Sequence, residues 1–144
     1  MTNPLERTIE LDCPREHAWR VFTEMIDLWW PRGHRRNEDA TLVFQPHPGG
    51  RLFEKSTSGS EWTIGEVIAA EPPDRLEFNW FPGSPTAPTH VAVFFSGDGK
   101  RSSIHIRHEA LSAESAALWP DRVALYAKGW DTILPALAAY FSQS

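Results

Sequence analysis

The fold is decided by the sequence LWPDRVALYAKGWDTILPALAAYF, residues 118–141. Its apolar side chains recur every three or four residues, as on one face of an amphipathic helix. They are Leu118, Trp119, Val123, Tyr126, Trp130, Ile133, Leu134, Leu137 and Phe141. The charged side chains of Arg122, Lys128 and Asp131 lie mostly on other faces. We therefore expect one long C-terminal helix, with a kink at Pro135 because proline cannot donate a backbone hydrogen bond.

Upstream of this helix the polarity alternates with a period of two, which predicts strands separated by Pro- and Gly-rich turns. The predicted strands are Glu6–Asp12, Thr41–Gln45, Arg51–Ser56, Trp62–Ala70, Arg75–Trp80, Thr89–Ser96 and Ser102–Glu109. Two short helices are expected after the first strand, the first starting at Pro14 and the second ending before Pro31. Only the C-terminal helix is long enough to cover such a sheet. The prediction is an α+β fold, in which a curved antiparallel sheet of about six or seven strands wraps around that helix.

Length and composition limit the class of protein. The 144 residues fit a single domain over residues 1–144, and the lone Cys13 excludes an internal disulfide. No apolar run is long enough for a membrane span or a signal peptide, so we expect a cytoplasmic protein. The net charge of −5 disfavours a nucleic-acid partner, because such binding depends on clustered cations.

One basic run, Arg32-Gly-His-Arg-Arg36, departs from this acidic balance. Short charge runs are usually solvated loops, and that is the favoured interpretation. The alternative is a basic lip that guides an anionic ligand into a pocket.

Seven tryptophans, at positions 19, 29, 30, 62, 80, 119 and 130, are distributed over every predicted element that would surround the interior. Large rings with one polar N–H suit the walls of a cavity and, equally, a dense core. The pattern therefore raises the hypothesis of a cavity without saying what it holds.

Motifs along nearly the whole chain resemble a known family. They are CPREHAWRVF (13–22), LWW (28–30), PGGR (48–51), GEVIAAEPPDRLEFNW (65–80), IRHEAL (106–111) and YAKGW (126–130). In this order they resemble the homologues of the activator of the heat-shock protein 90 ATPase. That family belongs to the helix-grip (SRPBCC) superfamily of START-like lipid carriers, pollen-allergen-type proteins and polyketide cyclases. The resemblance implies a cavity between the sheet and the long helix, and it makes a chaperone a possible partner in a stress response.

Apolar and aromatic residues on the expected inner faces are the candidate ligand contacts. They are Trp29, Trp30, Phe44, Trp62, Phe78, Trp80, Phe95, His108, Tyr126, Trp130, Ile133 and Leu137. For each one alone, core packing is the simpler interpretation. As a set they exceed what a thin core needs, and their polar tips could orient a ligand with one polar end.

Two residues are weak catalytic candidates, and no catalytic set is complete. His108 shares a strand face with Ile104 and Ile106, so it should point inward and be either a core histidine or a ligand contact. His105 points the other way, which argues against a metal site, and no cofactor is expected. Glu66 either points inward with a raised pKa, as a general acid or base would, or is turned outward by a bulge at Gly65.

Three acidic or amide side chains in the strands, Glu54, Glu77 and Asn79, alternate with apolar neighbours and are expected to face solvent.

The leading functional hypothesis is a binding or carrier domain for a small hydrophobic or aromatic ligand. The first alternative is a small cyclase or hydrolase that uses Glu66 or His108. The second is a module that interacts with a chaperone or regulator through the loop Phe81–Pro88. A monomer or a weak homodimer is expected.

Overall fold

The computed structural model describes residues 3–82 and 87–142. Strand β1 (Leu5–Leu11) is followed by the short helices α1 (Arg15–Thr23) and α2 (Ile26–Trp29) and by a 3₁₀ turn at Arg32–His34. Six further strands precede the C-terminal helix α3 (Ala113–Ser142). They are β2 (Thr41–Phe44), β3 (Arg51–Lys55), β4 (Glu61–Glu71), β5 (Arg75–Trp80), β6 (Thr89–Gly97) and β7 (Ser102–Ala110).

The seven strands form one antiparallel sheet in the order β1-β7-β6-β5-β4-β3-β2, curled into a half-barrel. Helix α3 contacts β1 and β7, while α1 contacts β6 and β7. The α+β architecture expected from the sequence is therefore confirmed. Pro135 lies inside α3, and the kink expected there stays a prediction. None of the helices in the described residues has the length and hydropathy needed to cross a membrane.

Helix α3 begins at a cap built from two serines. The Ser112 hydroxyl accepts a hydrogen bond from the backbone N–H of Ser115 at 3.2 Å. The Ser115 hydroxyl in turn accepts from the backbone N–H groups of Leu111 and Ser112. These bonds satisfy donors that a helix start leaves unpaired, and they fix where α3 leaves the sheet.

Much of the interior is filled by aromatic rings that pack against one another. Phe22 of α1 lies at its centre, with ring centroids 5.5 Å from Trp29, 5.7 Å from Phe95 and 6.4 Å from Phe44. We call the following buried set the packed core: Trp19, Phe22, Trp29, Phe44, Phe78, Phe95 and Leu137. It needs no ligand to be filled.

A β-bulge in β4 sets which side chains face the interior. Leu52 of β3 pairs with Gly65, whereas the next residue, Phe53, pairs with Thr63, so that Ile64 is an extra residue. The bulge shifts the alternation by one residue, and Glu66 is consequently exposed. This is the outward orientation that the sequence left open. A Cβ at Gly65 would overlap the carbonyl oxygen of Asn79, which explains a glycine at the bulge.

Glu54 does not face solvent, contrary to the expectation from the sequence. It is 2% exposed, pairs with Trp62 across the β3–β4 ladder and shares the inward face with Leu52. The neighbouring Phe53 is buried on the opposite face, where the Arg51 guanidinium lies 4.1 Å from its ring centroid. With apolar residues on both faces of β3, alternation alone could not identify the inner one.

Candidate functional site

A cavity of about 540 Å³ lies between the sheet and α3 and opens to solvent. Its buried or half-buried wall is formed by Trp30, Arg35, Glu54, Trp62, Ile64, Trp80, His108, Tyr126, Gly129, Trp130 and Ile133. Its rim is formed by the exposed residues Gly33, His34, Arg36, Pro82, Leu125, Lys128 and Thr132. We call this space the aromatic cavity.

Three indole rings from three different elements form its central wall. The ring centroids of Trp30, after α2, Trp80 of β5 and Trp130 of α3 are 6.2 to 6.5 Å apart in every pair. At these distances the rings contact one another in tilted and edge-on arrangements, which hold them stiffly. The wall is therefore apolar and preformed.

His108 is a neutral hydrogen-bonding group at the base of this wall. The indole N–H of Trp130 donates to its Nδ1 at 3.1 Å, so Nδ1 carries no proton. Its Nε2–H then donates to the Thr89 hydroxyl at 2.7 Å. Burial, aided by the nearby His90, lowers the pKa of His108 from 6.5 to about 3. With both ring nitrogens bonded and no proton to release near neutral pH, His108 orients Trp130 rather than acting as a general acid.

A buried arginine closes the side of the cavity next to α2. The side chain of Arg35 is only 1% exposed, and its guanidinium donates to Asp27 Oδ1 at 2.5 Å and to the carbonyl oxygens of Trp30 and Ala40. Burial acts to raise the pKa of Asp27, but hydrogen bonds from the Leu42 backbone and from Arg35 outweigh it, so the pKa is lowered. Arg35 thus fixes the segment that carries Trp30.

The buried carboxylate of Glu54 holds the rim in place. Its oxygens accept hydrogen bonds from the backbone N–H of Arg36 at 2.8 and 3.0 Å and of Asn37 at 3.4 Å. The Arg36 guanidinium extends over the Trp62 ring, 5.3 Å from its centroid. Glu54 therefore positions a cation at the mouth of the aromatic cavity.

Gly129 leaves open space on the helix side. It lies within α3 and lines the cavity, and a Cβ added there would meet no heavy atom within 4 Å. Glycine inside a helix costs roughly 0.5–1 kcal/mol relative to alanine. No close packing of the chain requires this glycine, and its effect is a wider cavity.

The sequence and the fold both match known proteins. The family model described as Activator of Hsp90 ATPase homolog 1-like protein matches residues 12–142. The chain belongs to this family. None of the curated proteins compared with it matches.

Solved structures share the family fold at low sequence identity. CalU16 from Micromonospora echinospora is 18% identical, with a TM-score of 0.70 over 96% of this chain and 76% of its own. A protein from Rhodobacter sphaeroides is 20% identical, with a TM-score of 0.71 over 97% of this chain and 92% of its own. The anthrahydroquino-gamma-pyrone synthase Txn09 is 26% identical, with a TM-score of 0.57 over 75% of this chain and 77% of its own.

The structure divides the twelve candidate ligand contacts into two groups. Seven line the aromatic cavity: Trp30, Trp62, Trp80, His108, Tyr126, Trp130 and Ile133. The other five belong to the packed core: Trp29, Phe44, Phe78, Phe95 and Leu137. Whether the seven contact a ligand stays a prediction.

The two weak catalytic candidates do not meet. His108 is buried at the cavity, whereas Glu66 is exposed and lies outside its lining. Residues 83–86 of the loop Phe81–Pro88 lie outside the described residues. Within the described ranges, no three His, Cys, Asp or Glu side chains are grouped as metal ligands would be.

Four residues that line the cavity were missed or misjudged from the sequence. The basic run drew attention to Arg35 and Arg36: the favoured interpretation was a solvated loop, the alternative was the basic lip of a pocket, and both residues line the cavity. No sequence pattern indicated that Glu54 is buried, because its burial depends on the segment that folds over β3. No pattern indicated the role of Gly129 either, since open space next to a glycine is visible only in three dimensions.

Proposed function

We propose that this protein binds and carries a small hydrophobic or aromatic ligand in the aromatic cavity. The observation that carries the proposal is a preformed cavity of about 540 Å³ with indole rings from three elements on its wall. Its volume lies in the range of ligand sites, which is roughly 300–1,000 Å³. The polar groups at its base, His108 and the Trp130 N–H, are bonded to each other. The apolar surfaces of the rings therefore remain available for contact with a ligand.

Gly129 adds independent support. A glycine inside a helix lowers stability, and the open space beside it leaves room for a bound ligand. If the chain were selected only to fold, a larger side chain at this position would both strengthen α3 and fill the space.

Titration with N-phenyl-1-naphthylamine, a neutral probe whose fluorescence rises in apolar surroundings, tests the proposal. We expect saturable binding by the wild type. Gly129→Phe should abolish it by filling the cavity, whereas the matched variant Gly129→Ala should bind nearly as the wild type does. Absence of binding by the wild type, or unchanged binding by a folded Gly129→Phe protein, would overturn the proposal.

A cyclase is the second candidate, favoured by the 26% identity to the synthase Txn09. In that case the cavity would hold a linear precursor in a folded shape, and ring closure would follow from its confinement. Incubation with a linear aromatic polyketone, followed by mass spectrometry, tests this. The wild type should give cyclised product faster than Gly129→Phe and faster than buffer; equal rates in all three would reject a cyclase.

A further inference from the structure

The charged residues that line the aromatic cavity are mostly cations. Arg35, Arg36 and Lys128 face one carboxylate, Glu54, although the chain as a whole carries a net charge of −5. Arg35 is neutralised by Asp27, which lies outside the lining. Two cations therefore remain against one buried carboxylate, whose oxygens accept backbone N–H bonds.

The two remaining cations have no anionic partner in the described parts of the chain. Neither Arg36 nor Lys128 has a carboxylate oxygen within 4.0 Å among residues 3–82 and 87–142. Eight other arginines do: Arg7, Arg15, Arg20, Arg35, Arg51, Arg75, Arg101 and Arg107. In an acidic protein that pairs eight of its eleven arginines, an unpaired arginine at a cavity mouth indicates a binding preference for anions, and Lys128 adds a second positive charge there.

Arg36 is also held in position, which distinguishes it from a freely moving surface cation. Glu54 fixes its backbone, and the Trp62 ring lies beneath its guanidinium. A second, smaller recess of about 330 Å³ shares Arg36, Glu54 and Trp62 with the aromatic cavity and is lined by Ser56, Ser58 and Ser60 among others. Arg36 thus borders an aromatic space on one side and a hydroxyl-rich space on the other.

We infer that the ligand is an aromatic carboxylate, with its rings against the indole wall and its carboxylate at Arg36 and Lys128. This rests on the proposed function, because the rings need the aromatic cavity. A guanidinium presents paired N–H donors that match a carboxylate.

Competition between two matched compounds tests the charge preference. 2-Naphthoate and 2-naphthamide have the same ring system and nearly the same shape, and only the first is an anion at pH 7.5. Each is used to displace N-phenyl-1-naphthylamine from the wild type. We expect naphthoate to bind about tenfold more tightly than naphthamide, the ratio that one charge-assisted hydrogen bond provides.

Three charge variants locate the preference. Arg36→Gln and Lys128→Gln should each reduce the naphthoate-to-naphthamide ratio several-fold, because each removes one positive charge from the cavity mouth. The ratio is measured within each variant, so any change in the affinity for the neutral probe affects both competitors equally. Lys100→Gln removes one positive charge from the β6–β7 turn and should leave the ratio as in the wild type. Saturable binding of the neutral probe shows that each variant is folded around a cavity.

The outcomes separate the two proposals. If the neutral probe does not bind to the wild type, the proposed function fails, and the anion preference fails with it. If the probe binds but the two competitors displace it equally, the carboxylate inference alone is overturned. Equal loss of the ratio in Lys100→Gln and Arg36→Gln would also overturn it, because the effect would then be one of net charge.

Discussion

The packed core and the aromatic cavity are built from the same residue types, but in the first the rings fill the interior and in the second they line an open space. Around Phe22, which is buried, the rings contact other rings on several sides. Around Trp80 and Trp130 the rings contact one another and also line an open volume of about 540 Å³. The difference lies in their neighbours: a glycine in α3, a rim segment fixed by Glu54, and a Trp30 segment fixed by Arg35. Aromatic content alone therefore does not distinguish the wall of a cavity from a packed core.

The largest expected effect separates the two regions by stability. Phe22→Ala should lower the free energy of unfolding by about 4 kcal/mol, because it leaves a void among rings that cannot collapse fully. Trp80→Ala should cost less, since its half-buried ring already borders open space, and it should weaken probe binding instead. Urea denaturation and probe titration measure both quantities. A smaller stability loss for Phe22→Ala than for Trp80→Ala would contradict the division.

Two glutamates in neighbouring strands provide a matched pair. Glu54→Gln should cost about 2 kcal/mol of stability, because a neutral amide with one acceptor oxygen replaces a buried carboxylate that accepts several backbone N–H bonds. Glu66→Gln, on the exposed face, should change stability little. Chemical denaturation at pH 7 compares them. Equal costs would show that Glu54 does not hold the rim.

His108 predicts a pH dependence of stability. Its pKa is about 3 in the folded protein and 6.5 when unfolded, so the unfolded chain binds a proton first as the pH falls. The contribution of neutral His108 to the free energy of unfolding is fully present above about pH 6.5. It should decrease by about 2 kcal/mol between pH 7 and pH 5.

The control for this pH effect is His108→Gln, whose amide can accept from Trp130 and donate to Thr89 without titrating. Denaturation curves at several pH values should show a shallower slope for the variant than for the wild type. Parallel slopes would mean that the pKa of His108 is the same in the folded and the unfolded protein.

The smallest effect is an increase in stability. Gly129→Ala should raise the free energy of unfolding by roughly 0.5–1 kcal/mol, since alanine favours the helix and its Cβ meets no neighbour. Thermal unfolding measures it. A decrease would mean that the helix side of the cavity is already filled.

The sequence predicted the fold well because periodicity is local. The alternation of β5 and β7 and the helical spacing of α3 each required only neighbouring residues, and the motif order supplied the arrangement. The tryptophans raised a cavity only as a hypothesis, with a dense core as the alternative, and the family resemblance implied a cavity between the sheet and the long helix.

The division between cavity wall and packed core could not be predicted, because it depends on which strands and helices pack against one another in the folded protein. Phe78 and Trp80 share one face of β5, yet only Trp80 lines the cavity, since Phe78 packs against Phe44 of the distant strand β2. The orientation of Glu66 depended on a bulge that the sequence could only suggest.

Indole N–H signals in a proton–nitrogen correlation spectrum test the central claim most directly, because tryptophans occur in both regions. On addition of N-phenyl-1-naphthylamine, the signals of Trp30, Trp62, Trp80 and Trp130 should shift, while those of Trp19 and Trp29 should stay in place. Equal shifts in both groups, or shifts confined to Trp19 and Trp29, would contradict a ligand cavity separate from the packed core.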